Sequence, residues 1–124
     1  MSLVDTSVLI DVLRGNAAAA AALAEAREQG PLHGSEVTRL EVLAGMRPHE
    51  EPATRGLLNV LIWHPLDEHL AEIAGDLGRR WLPGNRGIDS ADLAIAATAV
   101  ALKVTPLTRN VKHFPMFPDL APPY

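Results

Sequence analysis

The 124-residue chain contains no cysteine. Disulfides and thiolate metal sites are therefore excluded. It also lacks any apolar run near the ~18 residues that span a bilayer, and no basic n-region with an apolar h-region precedes the first strand-like segment. These absences lead to the expectation of a soluble, cytoplasmic protein with no membrane partner. There is no GxxxxGK loop to cradle a nucleotide. The five histidines (33, 49, 64, 69 and 113) include no HxxxH pair, so zinc has little support. A phosphatase built on an aspartyl nucleophile after its first strand wants a second Asp two residues later, and Ser7 stands there. An excess of positive charge is missing as well. The net charge is -4, which taken alone argues against a nucleic-acid partner.

What is present is ordinary globular composition, 48% hydrophobic and 21% charged, in a chain long enough for one buried core. Short apolar runs alternate with helical patterns. "SLVD" (2–5) is strand-like, and "TSVLIDVLR" (6–14) forms an amphipathic helix stopped at Gly15. The run "AAAAAALAEAREQ" (17–29) looks like low complexity but is a plain helix, because alanine is the best helix former. "LHG" (32–34) is a second strand. Ser35 caps a helix over 36–44, followed by a helix over 52–61 and a strand over 62–65. Asp67 caps a helix whose Leu70, Ile73, Ala74, Leu77 and Trp81 make one stripe. After the loop 83–87, "SADLAIAATAVALK" (90–103) is apolar nearly all round and so is expected to be central and buried. "VTPLT" (104–108) is the last strand. This alternation predicts a single domain over 1–124, a three-layer α/β/α fold around a parallel sheet of four to five strands.

In an open parallel sheet, ligands bind beyond the carboxyl ends of the strands. Asp5 and "TRN" (108–110) fall at such ends. Asp89 and Asp92 start the buried helix, three residues apart and so on one face. An Asp at a helix start serves as a cap more often than as a ligand, and Asp89 fits that role. Asp92 is harder to explain as surface, being flanked by Ala91, Leu93 and Ala94. Glu41 lies beside Leu40, Val42 and Leu43, also an apolar setting. Acids gathered at one sheet edge repel one another unless a cation joins them. Carboxylates without cysteine suit a hard divalent ion, Mg²⁺ or Mn²⁺.

The segments "LVDTSVLIDVLRG", "EVLAG", "DLAIAATAVAL" and "LTRNVKHF", in that order, resemble the PIN-domain ribonucleases, most of all the VapC toxins of bacterial toxin–antitoxin pairs. The resemblance covers essentially the whole chain. It implies a Mg²⁺-dependent endoribonuclease acting on RNA, usually a homodimer, held inactive by a VapB-like antitoxin. It carries the catalytic and metal-binding carboxylates onto Asp5, Glu41 and Asp92. The Thr of the "TxN" pattern falls on Thr108, and the hydroxyl near the first aspartate on Ser7 or Thr6. Ser7, Thr108 and Asn110 would complete the metal or water shell, with Asp89 secondary.

Two departures from the family pattern stand out. Asn110 occupies a position where many relatives carry a fourth carboxylate, and Pro106 lies within the last strand, although prolines avoid central ladders. With Asp5, Glu41, Asp89 and Asp92 set aside, the rest of the chain is neutral, which eases the charge objection. Arg86, Arg109 and Lys112 flank the proposed site and suit phosphate contacts. The competing expectation is a catalytically silent PIN-like domain that binds RNA or regulates. The acids at 5, 41 and 92 argue against it, since binding alone needs basic groups.

Overall fold

The computed structural model describes all residues from Met1 to Tyr124. Four strands, β1 (Ser2–Val4), β2 (Leu32–Ser35), β3 (Ile62–His64) and β4 (Pro106–Leu107), form one parallel sheet in the order β3-β2-β1-β4. Six helices flank it: α1 (Thr6–Leu13), α2 (Ala17–Glu28), α3 (Glu36–Ala44), α4 (Glu51–Leu58), α5 (Glu68–Trp81) and α6 (Ser90–Leu102). This is the three-layer α/β/α arrangement expected from the alternating pattern. None of the helices is long and apolar enough to cross a membrane.

The period-2 geometry of a strand divides the core in two. On β1, Leu3 faces one layer and Val4 the other, and both are fully buried. Leu3 packs with Leu77 of α5, with Leu93 and Ile95 of α6, and with Phe114. Val4 packs with Val8 and Leu9 of α1, Leu23 of α2 and Leu58 of α4. The predominantly apolar α6 is buried from Asp92 to Ala99. Its one buried hydroxyl there, on Thr98, donates to the Ala94 carbonyl at 2.9 Å. The alanine-rich α2 buries only Ala19, Leu23 and Ala26. Close packing also fixes Gly34 on β2, where a Cβ would lie 2.5 Å from the Trp63 ring.

Three element boundaries differ from the sequence expectation. Residue 5 leaves the strand to cap α1. The helix expected over 52–61 starts one residue earlier, behind a 3-10 turn at Pro48–Glu50, and ends at Leu58. Beyond it the chain tightens into i→i−3 bonds, Val60 N–H to Leu57 O and Leu61 N–H to Leu58 O. The last strand is two residues long rather than five. Lys103 takes the left-handed conformation (φ 60°), and the Val104 N–H donates back to Ala99 O, which holds the chain against α6. Since β4 is an edge strand, Pro106 has a place where its missing N–H is tolerated.

Candidate active site

Asp5 follows β1 directly and is the N-cap of α1. Its carboxylate is therefore fixed by both elements at the carboxyl edge of the sheet, only 3% exposed. Every hydrogen bond to it arrives at Oδ2. The Ser7 hydroxyl and the Thr108 hydroxyl each donate at 2.7 Å, and the Ser7 N–H lies 3.4 Å away. Both hydroxyls are held in turn: Ser7 Oγ accepts from the Arg109 N–H at 3.2 Å, and Thr108 Oγ1 accepts from the Asn110 N–H at 2.9 Å. Asp5 Oδ1 takes no hydrogen bond from the protein and is not sealed from solvent.

Glu41, on α3, shows the same division of labour between its oxygens. Oε1 accepts from the Thr6 hydroxyl at 2.7 Å, and the Thr38 hydroxyl lies 3.0 Å from that of Thr6. Oε2 is left without a protein donor. Thr6 and Asp5 are chain neighbours, so the start of α1 brings the first carboxylate toward the second. Where the sequence resemblance left Thr6 and Ser7 as alternatives, the structure gives each its own carboxylate.

Asp89 and Asp92 form a reciprocal cap at the start of α6. The Asp92 N–H donates to Asp89 Oδ1 at 2.9 Å, and the Asp89 N–H donates to Asp92 Oδ2 at 3.1 Å. Asp89 is exposed, whereas Asp92 is 9% exposed. His113 Nδ1 lies 3.2 Å from the same Asp92 oxygen. Burial pushes the Asp92 carboxyl up to about 6, with the neighbouring Asp89 charge adding to the effect and His113 opposing it. Again the second oxygen, Oδ1, has no partner from the protein.

The fold thus gathers Asp5, Ser7, Thr108, Arg109 and Asn110 in one network. Glu41 is tied to that network through Thr6, and α3 packs against both α1 and α6. It does not draw three His, Asp or Glu side chains into a ready-made cage around one point. Nevertheless, the donor chemistry fits a hard cation. Three carboxylates each have one oxygen anchored and the other free, and no thiol competes. Asn110 contributes its backbone to the network, while its exposed side chain makes no hydrogen bond within the protein.

Sequence reasoning missed a second cluster beside Ser7. Asp11 Oδ2 accepts from the Arg109 guanidinium at 3.1 Å and from the Tyr124 hydroxyl at 2.7 Å. Helical spacing puts Ser7, Asp11 and Arg14 on one face of α1 and its cap, a readable signal. Nothing in the local sequence points to Tyr124. His113, one of the five histidines without an HxxxH partner, touches Asp92 directly.

A parallel α/β/α sandwich of this kind is the fold of a PIN domain, and residues 2–115 match that family. The chain belongs to the PIN domain family. It is 46% identical to ribonuclease VapC19 of Mycobacterium tuberculosis over 125 residues, covering 100% of both chains. It is 43% identical to ribonuclease VapC10 of the same species over 124 residues, covering 100% of this chain and 93% of the other. Of the solved structures, a chain of a toxin–antitoxin complex from Klebsiella pneumoniae superposes with a TM-score of 0.80 at 28% identity, covering 100% of this chain and 98% of that one.

Proposed function

We propose that this protein is the toxin of a toxin–antitoxin pair, a single PIN domain over 1–124 that hydrolyses RNA phosphodiester bonds with a divalent metal ion. The observation that carries this reading is the half-anchored state of Asp5, Glu41 and Asp92. Each carboxylate is oriented through one oxygen by hydroxyl, backbone N–H or imidazole donors, and each keeps the other oxygen available. A domain that only bound RNA would have no use for three such acids. The similarity to two named ribonucleases over the whole chain supports the same conclusion.

Under this reading Asp5 and Asp92 are the principal ligands of Mg²⁺, with Mn²⁺ as the alternative ion. When bound, the ion supplies charge to the phosphate and lowers the pKa of a water. Ser7 and Thr108 hold Asp5 in place, and outer partners of this kind tune ligand basicity and orientation. Glu41, fixed by Thr6, orients the attacking water through its free oxygen. Asn110 offers an uncharged oxygen to the water shell where many relatives carry an acid. His113 keeps the Asp92 carboxylate turned toward the site. Asp89 acts first as the cap of α6 and only secondarily on the metal shell.

The partners are RNA, a VapB-like antitoxin and a second copy of the chain, all met in the cytoplasm. The antitoxin assignment agrees with the toxin–antitoxin complex that the fold superposes on. The decisive experiment is RNA cleavage by purified protein. Activity should vanish in EDTA and return with Mg²⁺ or Mn²⁺. Undiminished cleavage in EDTA would overturn the metal mechanism, and no cleavage of any RNA under any metal would overturn the ribonuclease reading.

A further inference from the structure

A polar pocket of about 390 Å³ opens beside the carboxylate site, lined by Ser7, Ile10, Asp11, Arg14, Arg109 and Asn110. Ser7 belongs to both places, since its hydroxyl donates to Asp5 while its side chain walls the pocket. We propose that Tyr124 and Asp11 are positioning residues for RNA: they hold the Arg109 guanidinium at this pocket, where Arg109 and Arg14 take a backbone phosphate of the strand next to the one that is cleaved. The inference rests on the ribonuclease reading given above.

Arg109 is restrained at three points. Its backbone N–H donates to Ser7 Oγ at 3.2 Å. Its guanidinium donates through Nη1 to Asp11 Oδ2 at 3.1 Å. The guanidinium carbon also sits 5.1 Å from the centre of the Tyr124 ring, within range of a cation–π contact. Tyr124 closes the arrangement by donating its hydroxyl to the same Asp11 oxygen at 2.7 Å. Yet the Arg109 side chain remains 47% exposed. A guanidinium carries five N–H donors, so those not directed at Asp11 stay available to a ligand.

An ion pair this exposed contributes little to stability. What the triple restraint does provide is geometry. A long side chain fixed in advance loses less freedom when it binds, and that raises affinity without any new contact. Arg14, exposed and in no ion pair, supplies the second cation. Asp11 neutralises one of the two arginines. The Tyr124 hydrogen bond and Arg109 together hold its carboxyl below the usual range, so it stays ionised and the latch stays closed at neutral pH. One net positive charge remains in a pocket adjoining the proposed cleavage centre, which suits a phosphate of a single RNA strand.

The test measures KM and kcat for a single-stranded RNA in Mg²⁺, and the Kd of a labelled oligoribonucleotide in EDTA, where nothing is cleaved. Tyr124→Phe removes only the hydroxyl. It should raise KM and Kd several-fold and leave kcat within about twofold. Arg109→Ala should raise both by about tenfold or more. The double variant Arg109→Ala/Tyr124→Phe should match Arg109→Ala alone, because Tyr124 acts through Arg109. Arg14→Ala should lower the slope of log Kd against log salt by about 0.7, the value for one phosphate contact on a single strand. If wild type cleaves RNA but Tyr124→Phe keeps KM and Kd within twofold of it, the positioning role is wrong and the ribonuclease reading stands. Additive losses in the double variant would equally sink the latch. Wild type that neither binds nor cleaves RNA removes the basis for both readings.

Discussion

The hydroxyl of Thr108 donates to Oδ2 of Asp5 at 2.7 Å, joining residues 103 positions apart. Thr108 is fully buried and also accepts from the Asn110 N–H, so one side chain links the ends of two neighbouring strands to the first carboxylate.

Thr108→Val keeps the shape and removes the hydroxyl. Two polar partners then lose a hydrogen bond, and the fold should lose about 1–3 kcal/mol. Freed from its donor, Asp5 should bind Mg²⁺ about 10–100-fold more weakly. Calorimetric titration with Mg²⁺ and a thermal melt of the same preparation check both effects. Unchanged Mg²⁺ affinity would show that Asp5 is oriented without Thr108.

Asp89 and Asp92 share one cap but differ in burial, and that difference separates them functionally. Asp92→Asn should abolish Mg²⁺-dependent cleavage and leave the fold intact. Burial raises the Asp92 carboxyl from 3.8 to about 6, so its ionisation destabilises the fold, a penalty absent below pH ~4 that grows as the pH rises to about 6. In EDTA at pH 7.5 the variant should therefore be the more stable protein, by roughly 1–3 kcal/mol, and the gap should close near pH 4. Asp89→Asn should retain substantial activity, since Asn caps about as well as Asp. An inactive Asp89→Asn beside an active Asp92→Asn would reverse the assignment.

His33 on β2 and His64 on β3 meet at 2.7 Å, Nδ1 to Nε2. One ring must donate and the other accept, so the contact requires at least one neutral imidazole. Burial, followed by the charge on His64, lowers the pKa of His33 below 6.5. The sign follows from the unfolded chain, which takes up the proton first. The stabilisation is complete above pH ~6.5 and is lost as the pH falls below it. Melting temperature recorded from pH 7.5 to 5 should drop more steeply for wild type than for His33→Gln. Parallel curves would mean that the pair does not titrate on acidification.

Expression of the chain alone should arrest growth, and Asp5→Ala should relieve the arrest. Co-expression of a cognate antitoxin should do the same. A charged guanidinium inserted among the free carboxylate oxygens would form strong, charge-assisted bonds there, so the antitoxin residue whose loss restores toxicity should be an arginine. Harmless accumulation of soluble, RNA-cleaving wild type would count against the toxin role.

The sequence by itself determined the layer architecture and singled out the acids proposed for the site. Periodicity of 2 and 3.6 is a local property, and so are capping residues such as Ser35, Asp67 and Asp89. The nearly all-apolar α6 could only be an interior helix, and an acid within it, Asp92, needed an explanation beyond surface chemistry. What tertiary structure alone decided was the pairing of distant polar groups. The two hydroxyls on Asp5 come from residues 7 and 108, Glu41 is held by Thr6, and Asp92 meets His113. The short β4, by contrast, is set locally, by the left-handed Lys103 and the Val104 N–H bonding back to Ala99 O. Least legible was the link among Asp11, Arg109 and Tyr124, because its members lie on three segments far apart in sequence. A hydrogen bond or ion pair depends on the final ångströms of approach, and those are set by how the sheet order and the packed helices bring chain ends together, not by any local pattern of residues.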